Sequence, residues 1–289
     1  MDREERKNVF FETVRISNKG RYTNSNGEEI IISRENDGIP LDSATLYDKE
    51  VTISKDWEKL CKDTEIEVVN GDCLYEAKKL YDEGLRPAVL NMASFVKPGG
   101  GVIGGSAAQE ENICRRTNLF ESIFRFRSDL AKEFGLIASK EQYPLDMNFG
   151  AVYSPSITVF RASEDRGYEL LDAPFQIDVI SVAAIKCPKL QNGDMTLYDK
   201  NITKNKIRTI LNLGIIWENE SLVLGALGCG AYRTPPNIMA KLFHDVLSES
   251  LYKGQFKKIV FAVLDDGNSH GEHHPEGNFI PFKREFEKK

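Results

Sequence analysis

Short apolar runs recur along this chain, separated by stretches whose apolar residues return at helical spacing. Glu65 to Val69, Pro87 to Asn91, Ser221 to Leu227 and Lys257 to Leu264 read as core strands. Phe175 to Ala184 is nearly continuous in apolar residues and suits a buried central strand. Helices are expected between them. Cys73 to Asp82 follows Asp72, which stands where an N-cap belongs. Asn112 to Arg127 carries Ile113, Leu119, Phe120, Ile123 and Phe124 at roughly helical spacing. Tyr198 to Leu213 is amphipathic through Ile202, Ile207, Ile210 and Leu211. Pro236 to Tyr252 is a further helix, with Thr234 as its cap and Pro235 at its first position. This alternation over most of 65–264 predicts an α/β fold of three α/β/α layers on a mixed, largely parallel sheet.

The remaining segments read less regularly. Arg3 to Ser17 predicts a helix whose partly apolar face holds Val9, Phe10, Val14 and Ile16, with Gly20 closing it. Asn24 to Gly27 is a turn and Glu28 to Ser33 a strand. Residues 34–63 are polar and irregular, and residues 129–150 are mixed. Val152 to Arg161 is β-rich with an interruption at Pro155. Glu164 to Gly167 is a turn, and Gln191 to Asp194 is loop. Residues 1–64 are too short for a core of their own and are taken as an accessory segment packed on a single 65–289 core.

Composition narrows the class. The 289 residues are 41% hydrophobic and 28% charged, as in soluble globular proteins. No stretch has the length of a membrane span, and the start lacks a signal-peptide core, so a cytoplasmic protein is expected. Five widely spaced cysteines, with no CxxC pair, argue against a disulfide framework or structural zinc. His270, His273 and His274 lie close together, but no second ligand cluster supports a metal, and a solvated loop is expected. A net charge of −6 argues against non-specific nucleic-acid binding, so a polyanionic ligand would be held by loop amides, helix ends and a few cations.

The chemistry concentrates in two loops. The first follows the strand ending at Asn91 and runs through Gly99, Gly100 and Gly101 to Gln109, Glu110 and Glu111 at or near a helix start. Glycines let backbone N–H groups approach a ligand, and the helix start adds donors that suit a sugar phosphate. Two acids there serve sugar-hydroxyl binding or proton transfer, although first-turn acids also simply cap helices. The second loop, Gly228, Cys229, Gly230, Ala231 and Tyr232, again joins a strand to a helix start, the layout of a diphosphate cradle. Its glycine order is not the dinucleotide fingerprint.

Gly99-Gly100-Gly101, seven intervening residues and Gln109-Glu110-Glu111 resemble the signature of microbial-type poly(ADP-ribose) glycohydrolases, and Leu90 to Ser94 and Cys114 to Arg116 extend the likeness. The resemblance implies a macrodomain-like core with an N-terminal helical extension. It implies that Asp72 accepts from the adenine amino group, Asn91 contacts a ribose, and Gly228 to Tyr232 form the phosphate loop, with Tyr232 against a ribose. The family more often has Phe-Gly where this chain has Tyr232-Arg233, which leaves the role of Arg233 open. Asn278, Phe279 and Phe282 fall where related folds cover the adenine. Glu111 would protonate the leaving oxygen and then activate water, Glu110 would hold ribose hydroxyls, and Gln109 would position the loop.

The expected activity is release of ADP-ribose from poly(ADP-ribose), mainly from chain ends, by a monomer that needs neither cofactor nor metal. The alternatives are a macrodomain that binds ADP-ribose without cleaving it, and a hydrolase for mono-ADP-ribosyl links on protein or nucleic acid, or for ADP-ribose 1″-phosphate. The paired acids count against the first and do not exclude the second. ADP-ribosylated macromolecules are the expected partners, without sequence-specific nucleic-acid binding.

Overall fold

The computed structural model describes residues 1–32, 35–36, 39–40, 43–265 and 272–287. The fold is α/β, a mixed sheet of seven strands with flanking helices. The chain packs as two compact units that interleave along the sequence. One comprises Met1–Leu46, Ala93–Leu145 and Val152–Ser181; the other comprises Tyr47–Met92, Asp146–Ala151 and Val182–Lys289.

The second unit contains the parallel strands. Pro87–Met92, Ser221–Leu224, Lys258–Ala262 and Glu65–Val69 lie side by side in that order. Leu222 sits between Ala88 and Ile259, and Phe261 pairs with Val68. The first three of these strands are buried almost throughout, as parallel strands covered on both faces are. Phe261 packs its ring 5.3 Å from Phe243 of the Pro236–Leu247 helix and 5.4 Å from Phe282 of the Phe279–Phe286 helix. Gly214 lets the Leu197–Ile216 helix approach closely, since a Cβ there would stand 3.1 Å from both Leu222 and Phe256. Parallel strands end at one edge, so Asp72, Asn91 and the Gly228 loop all lie at the C-terminal edge of these four strands.

The first unit is built around its N-terminal helix. Asp2 and Glu5 form a reciprocal cap at the start of Arg3–Lys19, and Gly20 ends it at φ +69°. Phe10 is fully buried and packs against Phe120, Phe124 and Phe134 at 5.9, 6.2 and 6.0 Å. Ala151–Arg161 and Leu170–Val182 are neighbours in the sheet. Their connection is too short for a parallel crossover, and Ala162 N–H donates to Glu169 O at 2.9 Å, so they run as a long hairpin.

Several sequence expectations change. The helix expected over 112–127 is broken: Gln109–Arg116 ends at Thr117, Leu119–Ile123 follows, and Phe124–Phe126 is a 3₁₀ turn. Thr117 is extended because it pairs with Val159, while Asn118 Oδ1 accepts from Thr158 N–H at 2.8 Å. Pro155 does not interrupt its strand; the irregularity is at Ser156, with φ +59°, whose N–H donates to buried Asp178 at 3.0 Å. Residues 34–63 contain short strands at Glu35–Asn36, Ile39–Pro40 and Thr45–Tyr47, and 129–150 overlaps the Ser128–Glu133 helix. Gln191 and Asp194, expected in a loop, are paired strand residues of a hairpin, and only its tip, Asn192-Gly193 with φ +51° and +79°, is loop. The Ser221 strand stops at Leu224, and the helix after it stops at Leu247. Thr234 is not its cap: Pro235 takes that position, and Thr234 is buried under Gly228 instead. Phe282 is a core side chain and cannot cover a ligand. Ser33 and His270 lie outside the described residues. His274 is buried rather than solvated.

Candidate active site

The two acids sit in the first turn of Gln109–Arg116, an eight-residue helix capped by Ala108 without a side-chain bond. Both are buried, Glu110 at 3% and Glu111 at 7% exposure. Burying two carboxylates requires donors, and the preceding loop supplies them as backbone amides. Glu110 accepts from Ser94 N–H at 2.7 Å through one oxygen and from Gly99 N–H at 2.9 Å through the other. Glu111 Oε1 accepts from Gly101 N–H at 2.8 Å. Among the described residues, its Oε2 is buried with no hydrogen-bond partner.

The loop needs its glycines for this. Gly99 and Gly100 have φ +74° and +55°. A Cβ on Gly100 would stand 2.4 Å from Glu111 Oε1 and 3.0 Å from Glu110 Oε2. One on Gly101 would meet Ser106 Oγ at 2.4 Å. Val102–Gly104 then makes a 3₁₀ turn, closed by Gly104 N–H and Ser106 N–H donating to Gly101 O. Gln109, half-buried at the first helical position, completes the group. Gly99, Gly100, Gly101, Gln109, Glu110 and Glu111 are therefore brought together as the sequence implied.

Arg115, in the run that extended the family likeness but without a role read for it, and Tyr168, not singled out from sequence, support the loop. Arg115, fully buried one turn beyond Glu111, donates from Nη1 to Ser106 O at 2.7 Å. Its Nε donates to Tyr168 Oη at 3.0 Å. An arginine four residues after an acid on one helix face was a usable signal. Tyr168, some fifty residues on, gave none. Burial, and then the Glu110 and Glu111 charges, push the Cys114 thiol well up, so it is an inert thiol. Burial, and next the Glu110 charge, likewise push the Tyr143 phenol up.

In the second unit, Asp72 Oδ1 accepts from Leu74 N–H at 3.1 Å and Tyr75 N–H at 2.9 Å, which caps the Cys73–Asp82 helix. The carboxylate can cap and still accept through its other oxygen. Asn91 is fully buried at its strand end. Gly228 takes φ +76°, and a Cβ there would lie 2.6 Å from Ala184. Cys229 is buried, and its carbonyl lies 2.9 Å from His273 Nε2. Gly230 and Ala231 are exposed, and Tyr232 is half-buried. Arg233 adopts φ +58°, a conformation natural to glycine. Among the described residues, no cluster of three or more His, Cys, Asp or Glu could hold a metal ion.

The family model described as "Microbial-type PARG, catalytic domain" matches residues 11–162, more than half of the chain and the whole acid-bearing loop. The chain belongs to the microbial-type PARG family. Poly(ADP-ribose) glycohydrolase from Thermomonospora curvata is similar in structure, with 25% identity and TM-score 0.76, over 98% of this chain and 100% of that one. The same enzyme bound to the inhibitor ADP-HPD gives TM-score 0.73 at 25% identity, covering 98% and 99%. Poly(ADP-ribose) glycohydrolase from Deinococcus radiodurans in complex with ADP-ribose is 28% identical, with TM-score 0.60 over 78% of this chain and 84% of that one. No curated protein matches the sequence. Among the described residues of this PARG-family chain, no helix is long and apolar enough to cross a membrane.

Proposed function

We propose that this chain is a poly(ADP-ribose) glycohydrolase, hydrolysing ribose–ribose O-glycosidic links to release ADP-ribose. One observation carries the assignment of the acid: Glu111 has one oxygen fixed by Gly101 N–H and the other buried and, among the described residues, unpartnered. A general acid needs a fixed carboxyl group with one oxygen available to carry and give its proton. Protonated Glu111 gives that proton to the leaving ribose oxygen as the C1″–O bond breaks and an oxocarbenium-like ribose develops. The substrate's own diphosphate can stabilise this cation, so no covalent enzyme intermediate is needed. The Glu111 carboxylate then takes a proton from water as the water oxygen bonds to C1″.

Glu110 has both oxygens on backbone amides, which supports a role in fixing the loop. Each carboxylate oxygen has a second lone pair, so ribose hydroxyls can still donate to it. Gln109 adds a side-chain amide beside them. Asp72 is read as the adenine acceptor, Asn91 as a ribose contact, and Gly228, Cys229, Gly230, Ala231 and Tyr232 as the diphosphate loop. The core is read as a macrodomain, the chain as a cytoplasmic monomer, and cleavage as proceeding from chain ends.

The test is ADP-ribose release from purified poly(ADP-ribose) by wild type and Glu111→Gln, with ADP-ribose binding measured on both. Release by wild type alone, with binding kept in the variant, supports the assignment. Binding without release by either protein removes the glycohydrolase reading and leaves an ADP-ribose binder. Free ADP-ribose as the first product from long chains, rather than oligomers, supports cleavage from ends.

A further inference from the structure

The glycine loop from Gly99 to Ser106 is held at both ends by the helix Gln109–Arg116. Glu110 and Glu111, in its first turn, hold Gly99 and Gly101. Arg115, in its last turn, holds the carbonyl of Ser106, and Ser106 N–H closes back on Gly101 O. If Ser106 shifts, Gly101 shifts, and with it the N–H that fixes Glu111.

What holds Arg115 is unusual. Its guanidinium is fully buried, and among the described residues it donates to a carbonyl and a phenol. The Tyr168 ring lies 5.4 Å from the guanidinium carbon. Tyr168 Oη accepts from Arg115 Nε and, at 3.1 Å, from Asn112 Nδ2 on the same helix. It donates in turn to Glu164 Oε2 at 3.1 Å. Glu164 is gripped by Arg6, whose Nη2 donates at 2.7 Å and whose Nε donates at 3.1 Å. The buried charge of Arg115 is thus answered by a carboxylate one hydroxyl away. That carboxylate is anchored on the N-terminal helix, whose Arg3 carbonyl approaches the loop so closely that a Cβ on Gly105 would stand 2.1 Å from it.

We propose that Tyr168 is a positioning residue for the reaction, the hub of a relay running Arg6–Glu164–Tyr168–Arg115–Ser106 that sets the catalytic glycine loop from the N-terminal helix. The proposal rests on the glycohydrolase reading for its kinetic consequence, though not for its structural one. Tyr168 itself is fully buried and acts through Arg115. Removing its hydroxyl leaves Arg115 Nε and Glu164 Oε2 without their shared partner. The loop end then relaxes, and the Glu111 carboxyl drifts from the position that the leaving oxygen requires.

The test uses the full chain with Tyr168→Phe, Arg6→Met and Arg6→Lys. Tyr168→Phe is expected to lower kcat about tenfold, since displacements well under 1 Å suffice for that, while KM and ADP-ribose Kd stay within about twofold. Arg6→Met, on the far side of the relay, is expected to lower kcat in the same sense, and Arg6→Lys to recover part of it. Hydrogen exchange of the 97–108 peptide should speed up in Tyr168→Phe and Arg6→Met, a readout independent of activity. Wild-type kcat in Tyr168→Phe, or unchanged exchange in the loop with only a lower melting temperature, overturns the relay. If Tyr168→Phe does not fold, the Arg6 pair decides: equal kcat in Met and Lys variants overturns it. A wild type that releases no ADP-ribose while the exchange pattern holds removes the assigned activity and leaves the relay standing.

Discussion

Gly100→Ala tests most directly whether the glycine loop exists to place two carboxylates. Gly100 has φ +55°, where a side chain costs about 1–2 kcal/mol of backbone strain. The new Cβ would stand 2.4 Å from Glu111 Oε1, so the carboxylate must retreat by about 1 Å to reach an ordinary contact. It cannot retreat and keep its 2.8 Å bond from Gly101 N–H, and a lost bond to a charged group costs about 1.5–3 kcal/mol. The sum is a destabilisation of about 3 kcal/mol, with the retreat relieving part of the clash. A 1 Å displacement of the acid lowers kcat by about a hundredfold. Urea midpoints and initial rates of ADP-ribose release measure the two effects. Gly104→Ala is the internal control, because nothing lies within 4 Å of its Cβ position and its φ is not left-handed; both quantities should stay near wild type. A folded Gly100→Ala protein with kcat within twofold of wild type would refute the claim that this loop fixes the acids.

Other consequences follow from groups away from the acids. Lys206 is 1% exposed, its ammonium has no hydrogen-bond partner among the described residues, and burial lowers its pKa to about 8, with the Asp146 charge opposing. The folded pKa lies below the unfolded one, so the charged form is disfavoured in the fold. Stability should therefore rise with pH between about 8 and 10.5, by up to about 3 kcal/mol, and Lys206→Met should stabilise the protein at pH 7 and remove that slope in denaturant titrations. Arg233→Gly should raise stability by about 1 kcal/mol by relieving the left-handed conformation at φ +58°, and a lower urea midpoint would contradict this. Iodoacetamide on the native protein should label exposed Cys187 and spare Cys114 and Cys229, whose thiols burial pushes up; peptide mapping reads the sites.

Short-range chemistry was legible in the sequence. Asp72 before Cys73–Asp82 and Gly20 after the first helix are choices that a few neighbouring residues decide, and both act as their positions implied. The parallel strands were legible because burial on both faces leaves uninterrupted apolar runs. So was the meeting of three glycines with two acids, since the intervening residues can only close a compact loop between a strand end and a helix start. Local periodicity could not reveal where distant chain overrides it. Residues 112–127 keep a helical spacing, yet the helix breaks at Thr117 because the Val159 strand offers that backbone a partner. Thr234 is a good cap by type, but Gly228 leaves a space that its side chain fills instead. Arg115 meets Tyr168, and Arg6 meets Glu164, through hydrogen bonds spanning 53 and 158 residues. No periodicity carries such pairings, because a buried cation such as Arg115 takes whichever acceptor the packed fold brings to it, and only the tertiary structure decides which one arrives.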